Sequence, residues 1–154
     1  MELREYWPED CREMGELFLD TVRTVNRRDY TEEETKAWAP GLPDLERWNR
    51  SFLDHYTLVA REDGRIAGFG DIDRTGYLDR LYVGRDFQGR GIATAICGRL
   101  EEHFPVERVT VCASITARPF FEGRGYRVVR SQKVLRRGVY LTNFVMEKRL
   151  GESS

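Results

Sequence analysis

The chain has 154 residues, with 25 Lys and Arg against 26 Asp and Glu and a net charge of −1. That balance leaves no basic footprint for nucleic acid, and the sequence holds no run of about 18 apolar residues that would span a membrane. With 40% apolar and 33% charged residues, the composition is that of one globular domain with a core of its own, not of a disordered chain.

The cysteines Cys11, Cys97 and Cys112 are odd in number and share no CxxC spacing, which argues against a disulfide framework or a zinc site. His55 and His103 stand apart in the sequence, so no metal is expected. The N-terminal MELREYWPEDC lacks the apolar run of a secretory signal. The expectation is a soluble cytoplasmic protein.

Residues 3–6 read as a short strand. A helix starts around Pro8, with proline in its first turn and acidic residues at the positive end of its dipole. Met14, Leu17, Phe18, Val22 and Val25 recur at three- and four-residue steps and give it one buried face. It ends near NRRDY. Thr31 opens TEEE, a capping box with Glu34 as the reaching carboxylate. That short helix runs through Trp38 and stops before Pro40. After the loop PGLP, Asp44 caps a further helix over 45–52. Trp7 and Trp48 read as packing residues.

From Tyr56 the period changes to two. YTLVARE and RIAGFGDID, joined at Asp63-Gly64, and then TGYLDRLYV read as an antiparallel meander. Residues 90–104 are helical, with Ile92, Ala95, Ile96 and Leu100 on one side and Pro105 as the stop. ERVTVCAS is a β-branched strand parallel to the one before the helix, in a right-handed βαβ unit. TARPFFEGRGY is a short helix closed by Gly123 or Gly125. YRVVRSQKVLRR and VYLTNFVMEKRL form a hairpin at RRGV. The expected class is mixed α/β, one domain over 1–150 with a frayed tail at 151–154.

The stretch YVGRDFQGRGIATAI carries the chemistry. Gly89 and Gly91 sit where a strand gives way to a helix, whose first turn has unsatisfied amides and a positive dipole end. Glycines let a ligand approach that backbone closely. The combination is an anion cradle suited to phosphate, with Gln88 and Arg90 as side-chain donors at its rim. A P-loop is excluded by the missing lysine, and the dinucleotide fingerprint by Thr94 in its third position. A tight turn with no ligand, or a phosphate-binding module of another kind, remains the alternative at this level.

Val83, then QGRGIA from Gln88, fits the pattern V-x(4)-[QR]-G-x-[GA]-[IVL]-[GA]. Behind it, CASITARPFFEGRGY supplies Ala117, Phe120, Phe121 and Gly125 at the spacing of a second motif. On these motifs residues 56–150 resemble the GNAT superfamily of acyl-CoA-dependent N-acetyltransferases. The resemblance implies a mostly antiparallel twisted sheet, flanked by helices, whose parallel fourth and fifth strands splay to admit coenzyme A. It also implies acetyl transfer from acetyl-CoA to a primary amine by direct attack, the acceptor being a small molecule. A protein N-terminus or lysine as acceptor, and a non-catalytic acyl-CoA-binding domain, stay as alternatives.

Carried over by position, the resemblance assigns the pyrophosphate to the amides of Gln88, Gly89, Arg90, Gly91, Ile92 and Ala93. It assigns the pantetheine arm to the backbone of Leu81, Tyr82 and Val83, one of whose amides would hold the developing oxyanion. Ser114, Ala117, Phe120 and Phe121 would border the thiol end, with Ser114 also fit to cap the helix there. An attacking amine must be neutral, which calls for a base or a water chain. Asp79 is the favoured base, on the strand parity it shares with Leu81 and Val83, with Tyr77 on the same face. A structural ion pair is the plainer role for Asp79. Asp71 and Asp73 are weaker candidates. Phe121 departs from the tyrosine many members carry there as proton donor. Tyr126, Tyr140 or water are the substitutes, or the thiolate leaves unassisted. The acceptor pocket is expected from the N-terminal helices, the fourth strand and the last hairpin, with Arg27 and Arg28 toward an acceptor's anionic group and Tyr30 and Trp38 as walls. The reading names no nucleic-acid or membrane partner and leaves a homodimer open.

Overall fold

A computed structural model describes residues 1–151. Of the expected tail, Glu152 to Ser154 lie outside the described residues. Strand β1 (Glu2–Glu5) leads through a 3-10 turn at Pro8–Asp10 into α1 (Cys11–Thr24), α2 (Glu32–Trp38) and α3 (Leu45–Asp54). The meander follows as β2 (Tyr56–Glu62), β3 (Arg65–Ile72) and β4 (Tyr77–Val83). Then come α4 (Ile92–His103), β5 (Arg108–Ser114), α5 (Arg118–Gly123), β6 (Arg127–Arg136) and β7 (Val139–Arg149).

Local signals account for most boundaries. Thr31 Oγ1 accepts the Glu34 amide at 3.1 Å while Glu34 Oε1 takes the Thr31 amide at 2.8 Å, the expected capping box. Asp44 caps α3 through the Arg47 amide at 3.2 Å. Asp63-Gly64 and Arg137-Gly138 both have positive φ, the backbone of two-residue hairpin turns that match strand twist. Trp7 departs from its expected packing role: it is 54% exposed and stacks its ring on the Arg4 guanidinium, 3.7 Å away.

The sheet has the order β1-β2-β3-β4-β5-β7-β6 and is antiparallel except at β4–β5. Its two faces carry separate cores. On one, α4 and α5 cover Leu58, Ile72, Leu78, Val109, Val111 and Met146. On the other, α1 and α3 cover Val59, Phe69 and Tyr82 with Met14, Phe18 and Phe52. Gly70 in β3 lets α4 lie close: a Cβ there would stand 3.0 Å from both the Arg80 carbonyl and Ile96 Cγ2. No helix among the described residues is long and apolar enough to cross a membrane.

Two irregularities position the site. The parallel pairing of β4 with β5 is confined to Tyr77 with Thr110 and Leu78 with Val111, so both strands continue past it without each other. In the β3–β4 ladder, Asp71 faces Arg80 and Ile72 faces Leu78. Asp79 is therefore the extra residue of a β-bulge, which bends the strand and re-aims its side chains.

Candidate active site

A cavity of about 440 Å³ opens where β4 and β5 part. Its floor is β4 from Leu78 to Val83 and β5 from Val111 to Ser114; Thr21, Val25, Asn26 and Trp38 close one side, and Ala117, Phe120 and Phe121 the other. The end of the cavity is the turn into α4.

That turn is rich in free donors. The first helical bond of α4 is Ala95 N–H to Gly91 O, 3.0 Å. The amides of Gly91, Ile92, Ala93 and Thr94 precede that bond and have no acceptor within the helix, as the first turn of a helix dictates. Gly89 and Gly91 have φ of +73° and +80°, and a Cβ on either would project into open space. The turn thus requires glycine for its backbone and leaves clear room in front of its amides. An anionic group such as the coenzyme A pyrophosphate fits this cradle.

The side chains at the rim differ from the sequence expectation. The Gln88 carboxamide donates back to the Val83 carbonyl. Arg90 reaches to Glu62, 3.4 Å away, and lies over Phe87. Each has a closer protein partner, so backbone alone faces the cradle. The strand also narrows the earlier reading. The Gly84 amide bonds Ala67 O at 2.8 Å, and the Tyr82 and Arg80 carbonyls approach Gly68 and Gly70. By strand alternation, the peptide groups of Tyr82 are turned to β3 and those of Leu81 and Val83 to the cleft. The Tyr82 ring packs against Phe18 and Phe69.

Asp79 reaches the site by a different route from the one expected. Leu81 and Val83 pack toward α4, whereas Tyr82 packs toward α1 and α3. Parity alone would put Asp79 with Leu81, but Asp79 is the extra, unpaired residue of the bulge, so alternation does not carry through it. Asp79 instead joins Arg80 and Asp71. The Arg80 guanidinium lies 3.4 Å from Asp79 Oδ2, 2.6 Å from Asp71 Oδ2 and 3.1 Å from Ser51 Oγ, with its carbon over the Trp48 and Phe52 rings. His55 Nδ1 stands 2.7 Å from the same Asp71 oxygen. Burial raises the Asp79 pKa; Arg80 opposes this and the Asp71 charge reinforces it. The bond to Asp71 raises the His55 pKa. The fold therefore gathers His55, Asp71 and Asp79 within 4.8 Å, with the Arg80 guanidinium against both carboxylates.

The remaining candidates divide. Ser114 lines the cavity and accepts the Ala117 amide at 3.0 Å, which closes the turn before α5; the N-cap position itself is Ala117, with no side-chain cap. Asp73 is a turn residue that binds the Thr75 and Tyr77 amides. Tyr77 does not line the cavity, and burial raises the pKa of its hydroxyl. Arg27 and Arg28 are exposed and outside the cavity, because the 3-10 turn Asn26–Arg28 directs Asn26 inward; Arg27 bonds the Tyr30 carbonyl at 3.2 Å. Tyr30 is a brace instead of a wall: its hydroxyl donates to Thr142 O at 2.6 Å and accepts the Ile115 amide at 2.9 Å. Trp38 lines the cavity and meets Tyr30 edge-on. The last hairpin contributes no lining residue. Neither substitute proton donor is at the site. Tyr126 donates to Glu101 at 2.7 Å in a buried network with Arg124, and Tyr140 is 61% exposed.

Thr21, Asn26, Arg80, Cys112 and Thr116 are cavity residues that sequence reasoning passed over. One signal was present: Thr21 falls on the apolar stripe between Phe18 and Val25, a polar residue where the period calls for an apolar one.

A family model for the acetyltransferase (GNAT) domain matches residues 26–148. The chain belongs to the GNAT acetyltransferase family. It is 33% identical over 147 residues, covering 95% of this chain and 94% of the other, to YafP of Escherichia coli (strain K12), an uncharacterised N-acetyltransferase. A GCN5-related N-acetyltransferase from Rhodopseudomonas palustris superimposes with a TM-score of 0.92 at 32% identity, covering 97% of this chain and 95% of that one. The PaiA N-acetyltransferase of Thermoplasma acidophilum, solved in complex with coenzyme A, superimposes with a TM-score of 0.76 at 18% identity over 96% and 98% of the two chains. Membership makes this GNAT chain an acyltransferase, and the splayed β4–β5 pair is the fold's mark in it.

Proposed function

We propose that the protein transfers an acetyl group from acetyl-CoA to a small primary amine by direct attack. The observation that carries the reading is the run of free helix-start amides from Gly91 to Thr94 behind the glycine turn, set beside a cleft that Asp79 lines. The amides would take the pyrophosphate. The cleft-facing peptide groups of Leu81 and Val83 would take the pantetheine arm as an added strand, with one of their amides on the thioester oxygen as it gains charge.

Asp79 is the base in this scheme. Burial raises its pKa, and a stronger base than an ordinary carboxylate suits proton removal. The amine nitrogen attacks the thioester carbonyl, the carbon–sulfur bond breaks, and the amine's proton passes to Asp79. Phe121 has no proton to give, so the thiolate leaves as a weak base and takes its proton from Asp79 or water.

Thiol release from acetyl-CoA, measured against a panel of small amines, tests the reading. Amine-dependent release is the expected result. Coenzyme A binding with no release from any amine favours a non-catalytic acyl-CoA-binding domain. Release with lysine-bearing or N-terminal peptides alone moves the acceptor to protein.

A further inference from the structure

The acceptor side of the cavity holds polar groups that the proposed chemistry does not use. Thr21 and Asn26 are 4% and 5% exposed, and both line the cavity. The Thr21 hydroxyl has no hydrogen-bond partner. The Asn26 backbone carbonyl accepts the Asp29 and Tyr30 amides, but its carboxamide side chain pairs with no described residue. Buried hydrogen-bonding groups are costly when left unmade, and native proteins leave few of them. Two such groups from adjacent turns, facing one cavity, are donors and acceptors held for a ligand.

The charges of the cavity add a second constraint. Asp79 and Arg80 are its only charged lining residues among those described. Arg80 is committed to Asp71, Ser51 and Asp79. The arginines expected to receive an anion, Arg27 and Arg28, are outside. An acceptor carboxylate or phosphate would therefore enter beside Asp79 with no free cation to meet it, and burying an unpaired charge is prohibitive.

From these two observations we infer that the acceptor is a compact primary amine that lacks an acidic group and carries a hydroxyl or carboxamide read by Thr21 and Asn26. Val25 and the Trp38 ring supply the apolar wall against which its carbon skeleton rests. The inference rests on the acetyltransferase reading of the same cavity. A site built to hydrogen-bond a substrate group discriminates strongly against analogues that lack it or replace it with a charge.

The test uses the full chain, saturating acetyl-CoA and matched acceptors: valine, valine amide, valinol and a tripeptide beginning with valine. The amide and the alcohol should exceed the acid in kcat/KM by at least about tenfold. Thr21→Val and Asn26→Leu should each raise the KM for valine amide about tenfold and leave the KM for acetyl-CoA unchanged. Where Asn26→Leu does not fold, Asn26→Ser removes the carboxamide with less bulk and should act alike. Equal or better turnover of valine overturns the inference and leaves the acetyltransferase reading standing. A rise in the acetyl-CoA KM instead overturns it by assigning the two groups to the pantetheine arm. Preference for the tripeptide overturns the compact acceptor. No turnover of any amine, with coenzyme A still bound, overturns both readings.

Discussion

On the proposed coenzyme side of the cavity the binding groups are backbone amides from one continuous stretch, Gly91 to Thr94. On the acceptor side they are side chains from four separate elements: Thr21 from α1, Asn26 from a 3-10 turn, Trp38 from α2, and Asp79 with Arg80 from β4. The first wall needs a local conformation and little else. Two glycines at positive φ and a helix start provide it, and the side chains in between are free to turn away, as those of Gln88 and Arg90 do. The second wall depends on register. One extra residue in β4 decides that Asp79 stands with Arg80 and Asp71 and not with Leu81.

The largest expected effect strikes the backbone wall. Gly91→Asp forces a left-handed backbone onto a non-glycine residue and sets a carboxylate in front of the cradle. Acetyl-CoA affinity should fall about 100-fold or more by calorimetry; the new side chain meets no neighbouring atom, and the backbone strain is local to the φ of +80° at this residue. Unchanged affinity would move the pyrophosphate elsewhere. On the side-chain wall, Asp79→Asn should lower kcat/KM about 100-fold and leave coenzyme affinity alone. The pH profile gives the sign. The base works when ionised and its pKa is raised, so wild-type kcat/KM climbs with pH through an inflection above the ordinary carboxylate range. Asp79→Asn should delete that inflection and keep the alkaline one set by the amine. An unchanged acid limb would reduce Asp79 to an ion-pair partner of Arg80.

Smaller effects sharpen the division. Phe121→Tyr restores a phenol at the thiol end. If the thiolate leaves unassisted, kcat should change by less than about threefold; a large gain would mean that protonation of the leaving group limits the native enzyme. Tyr126→Phe lies behind both walls and should leave kcat and its pH profile as they are, lowering Tm by about 2–4 °C through the bond lost to Glu101. Burial opposes ionisation of Glu101, but its bonds to Arg124 and Tyr126 and the nearby Lys148 win and hold its pKa below the ordinary 4.5. The stabilisation is therefore complete above the unfolded value and is lost as pH falls through the folded one. A change in the kcat profile of Tyr126→Phe would return it to the role of proton donor.

The sequence by itself determined the order of elements, the cap at Thr31, the hairpin turns and the glycine turn ahead of α4, because each is set by φ preferences, caps or hydrophobic period within a few residues. It also named Asp79, by a parity argument that the bulge at that residue defeats, since a one-residue insertion is invisible to alternation. Tertiary structure alone decided which side chains share the cavity. Tyr30 is occupied as a brace only because Thr142 and Ile115 come to it from far along the chain. Arg27 and Arg28 miss the cavity because a single turn of 3-10 helix directs Asn26 inward in their place. Arg80 is unavailable to an acceptor because Asp71 and Ser51, on two other elements, claim it first. Cradles made of backbone are written in local sequence; pockets made of side chains exist only once long-range packing has assigned each side chain a partner.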